Sequence, residues 1–163
     1  MKQIQGDVDL SNLYLKELPS ILTNVSVGGN FDCGNNYLKS LVGAPSSVGG
    51  ACYCSNNKLT SLAGAPSSVG QDFNCSDNKL TSLVGAPSSV GLDFDCSSNK
   101  LTSLAGAPSS VGGNFYCRDN PKLTSLVGAP RSVGQDFYCN GNAIKFTIEQ
   151  VRAVCDVKGT IFV

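Results

Sequence analysis

Repetition is the feature that most constrains this chain. The run from Leu80 to Lys100 (Leu-Thr-Ser-Leu-Val-Gly-Ala-Pro-Ser-Ser-Val-Gly, then Leu-Asp-Phe-Asp-Cys-Ser-Ser-Asn-Lys) begins again 21 residues later. It has already been spelled out from Leu59, and more loosely from Leu38. Self-similarity at a period of about 20 to 50 residues marks a solenoid or similar array. Each unit of such an array buries its apolar side only against its neighbours, so one continuous core and one domain over residues 1–163 are expected.

The repeat resolves into ladders. Val27, Val48, Val69, Val90, Val111 and Val133 form the first. Phe31, Cys52, Phe73, Phe94, Phe115 and Phe137 form the second, and Cys33, Cys54, Cys75, Cys96, Cys117 and Cys139 the third. Asn36, Asn57, Asn78, Asn99, Asn120 and Asn142 follow. Leu38, Leu59, Leu80, Leu101, Leu123 and Ile144 come next, and Leu41, Leu62, Leu83, Leu104 and Leu126 close the unit. One residue inserted beside Pro121 stretches a single spacing to 22. Phe-x-Cys alternates with period two, which predicts a short strand with both side chains inward. Equivalent strands of successive coils then stack parallel and in register, about 4.8 Å apart. Gly-Ala-Pro-Ser-Ser predicts a turn or polyproline-like passage on the opposite side.

The ends depart from the pattern. Residues 1–27 predict an N-terminal capping coil, with Val8 in the phenylalanine row, Leu10 in the cysteine row, and Leu15 and Leu18 as the leucine pair. Residues 28–145 hold six repeats of 21–22 residues. Residues 146–163 predict a C-terminal cap. Thr147-Ile148-Glu149-Gln150 spells a capping box, Ile148, Val151, Val154 and Cys155 share a helical face, Gly159 is a stop, and Thr160–Val163 reads as a last strand.

Phe73-Asn74-Cys75-Ser76-Asp77-Asn78-Lys79-Leu80 resembles the leucine-rich-repeat signature, Leu-x-Leu-x-x-Asn/Cys-x-Leu, and the match recurs over residues 8–145. The short period and the Leu-Thr-Ser-Leu…Pro continuation look most like the class found in bacterial effector proteins. The near-identical copies are similar to repeat proteins encoded by bacteriophages. Valine precedes phenylalanine by four residues where the family has three, and phenylalanine and cysteine replace leucines. The resemblance implies a right-handed superhelix with a parallel β-sheet on the concave face and a turn or polyproline-like convex side. It also implies binding to another macromolecule, and asparagines that sit inside a turn and bond the backbone of adjacent coils.

Composition narrows the function. Twelve basic and twelve acidic residues cancel, so no global field favours nucleic acid or an anionic membrane as partner. No apolar run reaches the length of a membrane span, and Met1–Asp7 lacks a secretory h-region, so a cytoplasmic protein is expected (in the host cytoplasm, if phage-encoded). Histidine, the usual general base and zinc ligand, is absent. The cysteines of stacked strands project in parallel, which suits neither disulfides nor a metal. They read as small buried hydrophobes in a reducing compartment. Serines repeated every coil are scaffold, and no departure from the repeat gathers a nucleophile and a base, so no catalytic residue and no cofactor is expected.

What varies is the outward side of the strand face. Asp72, Asp93 and Asp136 precede the strand; Tyr53, Asp95, Tyr116 and Tyr138 lie within it; Arg118, Asp77 and Asp119 follow. Aromatics and arginine dominate binding hot spots, so these ten residues are the expected partner-binding set. The partner read from them is another protein of basic or mixed charge, met by a monomer or weak homo-oligomer. Lys58, Lys79, Lys100 and Lys122 should line one edge. The alternatives are structural: a glycan-binding virion or tail component using the same tyrosines, or an ice-binding hydroxyl ladder of Thr60, Thr81, Thr102 and Thr124.

Overall fold

The structure, a computed structural model, describes residues 2–163. Each coil contributes two short strands, and stacking of the coils builds two parallel sheets of eight strands. The first sheet runs through β1 (Lys2–Ile4), β3 (Val25–Val27), β5 (Ser47–Val48), β7 (Ser68–Val69), β9 (Ser89–Val90), β11 (Ser110–Val111), β13 (Ser132–Val133) and β15 (Asp156–Val157). The second runs through β2 (Val8–Asp9), β4 (Phe31–Asp32), β6 (Cys52–Tyr53), β8 (Phe73–Asn74), β10 (Phe94–Asp95), β12 (Phe115–Tyr116), β14 (Phe137–Tyr138) and β16 (Ile161–Phe162). The molecule is a parallel β-solenoid of about eight turns with very little helix.

The expected strand is present: Phe73, Phe94, Phe115 and Phe137 align in register and are fully buried. Phe73, Phe94 and Phe115 stack at 5.5 and 5.6 Å between centroids, Phe137 tilts against Phe115 at 5.1 Å, and Cys52 takes the same position in one coil. The first sheet is a departure from expectation. The sequence pattern suggests only a turn there, yet Ser-Val pairs from coil to coil. Valine is β-branched, suits a pleated half-buried surface, and points inward in every coil while serine points out. The glycine after it lets the coils close up, since a Cβ at Gly70 would strike the Gly49 carbonyl oxygen and one at Gly91 that of Gly70.

Two left-handed positions turn each coil. The first holds Asn12, Asn35, Asn56, Asp77, Ser98 and Asp119 at φ of 53–58°, a region that asparagine and aspartate tolerate better than most residues. The second holds Gly43, Gly64, Gly85, Gly106 and Gly128 at φ of 85–97°. Between them the buried asparagines do the structural work that the resemblance implies. Asn99 donates its side-chain amide to the carbonyls of Cys75, Cys96 and Ser97 at 3.0–3.2 Å, and its own carbonyl accepts the Leu80 N–H at 2.9 Å. Asn57, Asn78 and Asn120 repeat the pattern, each bonding the coil before it.

The ends behave differently from the interior. Ile144, expected in the leucine row, is 41% exposed, and Phe146 is buried in the core. With no further repeat to follow, the chain leaves the pattern there and turns into α1 (Ile148–Arg152). The capping box forms as spelled: the Gln150 N–H donates to Thr147 Oγ1 at 3.2 Å and the Thr147 N–H to Gln150 Oε1 at 2.9 Å. The helix ends at Arg152, well before Gly159, so it is too short to bury the whole expected face. Val151 and Cys155 are buried, while Ile148 and Val154 stay exposed. β15 and β16 then add the last rung to both sheets, with Val133 opposite Val157 and Phe137 opposite Ile161. Among the described residues, no helix is long and apolar enough to cross a membrane.

All eight cysteines are free and buried. Burial pushes their thiols up: Cys52 to about 12, Cys139 and Cys155 to about 11, and the others in the same direction. The folded state keeps protons that the unfolded chain loses above its thiol value of 9.0. Thiol burial therefore adds its full stability below that pH and loses it as pH rises through the folded values. The melting temperature should drop steadily between about pH 9 and about pH 12, and a thiol reagent at neutral pH should modify the cysteines only after denaturation. Asn99→Ala leaves buried backbone groups on two coils without partners. It should cost roughly 3 kcal/mol, read as a lower urea midpoint at unchanged slope.

Candidate binding face

The outward row of the second sheet reads Asp9, Asp32, Tyr53, Asn74, Asp95, Tyr116, Tyr138 and Phe162, one residue per coil in register. Its acidic and amide members serve their own turns. Asp95 Oδ1 accepts the Ser97 N–H at 2.9 Å, and Asp9, Asp32 and Asn74 hold the residue two ahead in the same way. Such side-chain-to-backbone bonds pre-form the turn that follows. Burial raises the Asp95 carboxyl above its ordinary value, against the lowering pull of its bonds to Ser97 and of Arg118.

The row before the strand is committed in another way. The Asp7 carboxylate accepts the Asn30 N–H, Asn30 accepts that of Ala51, and Ala51, with no side-chain acceptor, interrupts the series. It resumes as Asp72 accepts the Asp93 N–H at 3.0 Å, Asp93 that of Asn114 at 2.7 Å, Asn114 that of Asp136 at 3.0 Å and Asp136 that of Thr160 at 2.7 Å. Asp72, Asp93 and Asp136 thus clip successive coils together at the corner between the two sheets. Asp77 and Asp119 stand at the left-handed turn, exposed, so their residue type also answers a backbone requirement.

The aromatic members have no such duty to the backbone. Tyr116 stacks on Tyr138 at 4.6 Å between centroids, and Tyr138 on Phe162 at 4.4 Å with the two rings nearly parallel. Tyr116 and Tyr138 are half-buried and Phe162 is exposed at its outer end. The Tyr138 hydroxyl donates to Asp136 Oδ2 at 3.2 Å. Partial burial raises both phenols, helped by Asp93 and Asp95 at Tyr116 and by Asp136 and Asp93 at Tyr138, so near neutral pH they are protonated donors. Arg118, half-exposed, lies beside them with its Nε 4.0 Å from Asp119, a long and weak surface pair. Tyr53 stands three coils away, across a shallow notch of about 130 Å³ floored by Asn74 and Asp95.

The expected residues therefore separate by what the fold asks of them. Tyr116, Tyr138 and Arg118 converge on one patch toward the C-terminal end of the sheet. Asp72, Asp93, Asp95 and Asp136 line the same face but are spoken for by the fold, and Tyr53 stands apart. Phe162 completes the aromatic stack and was not legible beforehand, because only the register of β16 against β14 shows that it continues the tyrosine row. Chemically the patch offers flat apolar faces, phenol donors and one guanidinium. Among the described residues, no three or more metal-ligating side chains gather around a point.

Asp136→Ala should cost about 1 kcal/mol, because the Thr160 N–H and the Tyr138 hydroxyl both exchange this acceptor for water. Arg118→Ala should stay within about 0.5 kcal/mol of the parent, and thermal melts of the two variants side by side check the division between clip and patch. Comparison of the chain with protein-family models, with curated proteins and with solved structures finds no match.

Proposed function

We infer that this protein is a non-catalytic interaction module of the leucine-rich-repeat kind, a right-handed superhelix that binds a partner protein through the concave outer face of its second sheet. The observation that carries the inference is the solvent-facing stack of Tyr116, Tyr138 and Phe162 beside Arg118. A scaffold needs polar residues on such a face to stay in solution, and three aromatics in a row work against that need. Aromatic and arginine side chains clustered on a rigid element are the usual anchors of protein interfaces. The ring of carboxylates around them favours a partner of basic or mixed charge.

No catalytic role is proposed, since the carboxylates that line this face are occupied as acceptors of backbone N–H groups. If the likeness to bacteriophage repeat proteins is followed, the partner is a host factor met in the host cytoplasm. The threonine ladder is exposed, but it carries no paired Thr-x-Thr spacing, and the aromatic patch weighs for a protein ligand.

The test is affinity capture from a bacterial lysate with the parent chain and with Tyr116→Ala/Arg118→Ala/Tyr138→Ala. A single protein retained by the parent and lost by the triple variant, with an unchanged circular-dichroism spectrum, is the expected outcome. Equal capture by both would sink the assignment of the face.

A further inference from the structure

The lysine edge has an end unlike the rest. In the row after the buried asparagine stand Tyr14 and Tyr37, then Lys58, Lys79 and Lys100. Two residues further on, Lys16 and Lys39 stand where later coils carry Thr60, Thr81, Thr102 and Thr124. The exchange of tyrosine for lysine in one row and lysine for threonine in another is thus confined to the first two coils. The second of these is otherwise regular, with Phe31, Cys33, Asn36, Leu38 and Leu41 all buried in their repeat positions. Tyr37 and Lys39 are therefore departures on an ordinary coil, not consequences of capping.

Those departures meet in space. Lys16, Glu17, Tyr37, Lys39 and Lys58, drawn from three consecutive coils, line one concavity of about 470 Å³. Lys58 Nζ sits 4.5 Å from the centroid of the Tyr37 ring, and Tyr37 stacks on Tyr14 at 6.2 Å. Among the described residues the two ion pairs are Arg118–Asp119 and Lys158–Asp156, so Lys16, Lys39 and Lys58 take part in neither. Three ammonium groups against the one Glu17 carboxylate give the lining a net charge of 3 − 1 = +2.

A phosphoryl group matches this lining in charge and in valence. It carries about −1.5 to −2 near neutral pH and three acceptor oxygens, one for each ammonium. A lone carboxylate would leave a positive charge uncompensated. Lysine serves phosphate as a mobile point charge, whereas a forked carboxylate is better met by arginine, which the concavity lacks. The volume lies within the range of small-ligand sites, about 300–1,000 Å³, and exceeds what a bare phosphate fills. The phosphoryl group is accordingly borne on a larger body that rests on Tyr37 and the lysine stems. We propose that this concavity is a phosphate-ester binding site, with Lys16, Lys39 and Lys58 holding the phosphoryl oxygens and Tyr37 as its apolar wall. It lies apart from the aromatic patch of the second sheet and does not depend on that patch's role.

The test is calorimetric titration at low salt with phosphotyrosine, with tyrosine as the unphosphorylated control and with a short phosphotyrosyl peptide. Lys16→Thr/Lys39→Thr restores the threonine of the later coils and so keeps the fold. Lys79→Thr/Lys100→Thr removes the same charge further along the edge. The parent and the second variant should bind both phosphorylated probes saturably and not tyrosine, while the first variant should weaken binding by about tenfold or more per lysine removed. Tighter binding of the peptide would mark a chain-borne phosphate as the source, and equal binding a free ester. Equal affinity of the two variants, or no saturable binding of either phosphorylated probe to the parent, would overturn the proposal.

Discussion

The structure depends on one interaction repeated along its length, the buried asparagine that ties each coil to the one before it. A chain that turns back on itself every 21 residues carries backbone polar groups into its interior at every corner. Each such group left unpaired costs on the order of 1–3 kcal/mol, which a coil of so few buried side chains has little capacity to absorb. Asn78 and Asn99 bond both their own coil and the preceding one, so a single side chain closes the corner and fixes the stacking register together. Asn120 is fully buried and does the same just before the one insertion in the array.

Around that ladder the remaining rows divide the space. Phenylalanine lines the second sheet and cysteine follows just past each strand, large beside small, so that a row of aromatic rings runs down the core with thiols filling the gap next to it. Valine closes the core from the first sheet, and the glycines that follow it bring the coils into backbone contact. Asp93 and Asp136 then pin the corner between the sheets from outside. The result is a rod whose every coil is held by its neighbours, and whose chain ends supply the two outermost rungs in residues that no longer spell the repeat.

A scaffold of this kind spends most of its polar surface on itself. Carboxylates that look available in the sequence are acceptors for backbone N–H groups, and residues at the left-handed turn are chosen by backbone conformation. What stands out against that background is whatever the fold does not require: the aromatic stack with Arg118 at one end, and the tyrosine and lysine exchanges of the first coils at the other. Both are departures from the repeat that cluster in three dimensions.

The order of residues already contained the solenoid, the inward phenylalanine and cysteine rows, the parallel register, the asparagine ladder and the capping box at Thr147, because each rests on a period or a local spelling. It did not reveal that Ser-Val forms a second sheet. A two-residue strand has no period of its own, and only the pairing of successive coils makes it one. Nor did it separate Asp72, Asp93 and Asp136 from the tyrosines, since an aspartate that clips a coil and one that awaits a partner are the same letter. Tertiary structure alone decided those questions, along with the exposure of Ile144 and the placement of Phe162 beside Tyr138. Each depends on which atoms of distant residues come within hydrogen-bonding or packing distance, and that is set by the stacking of coils.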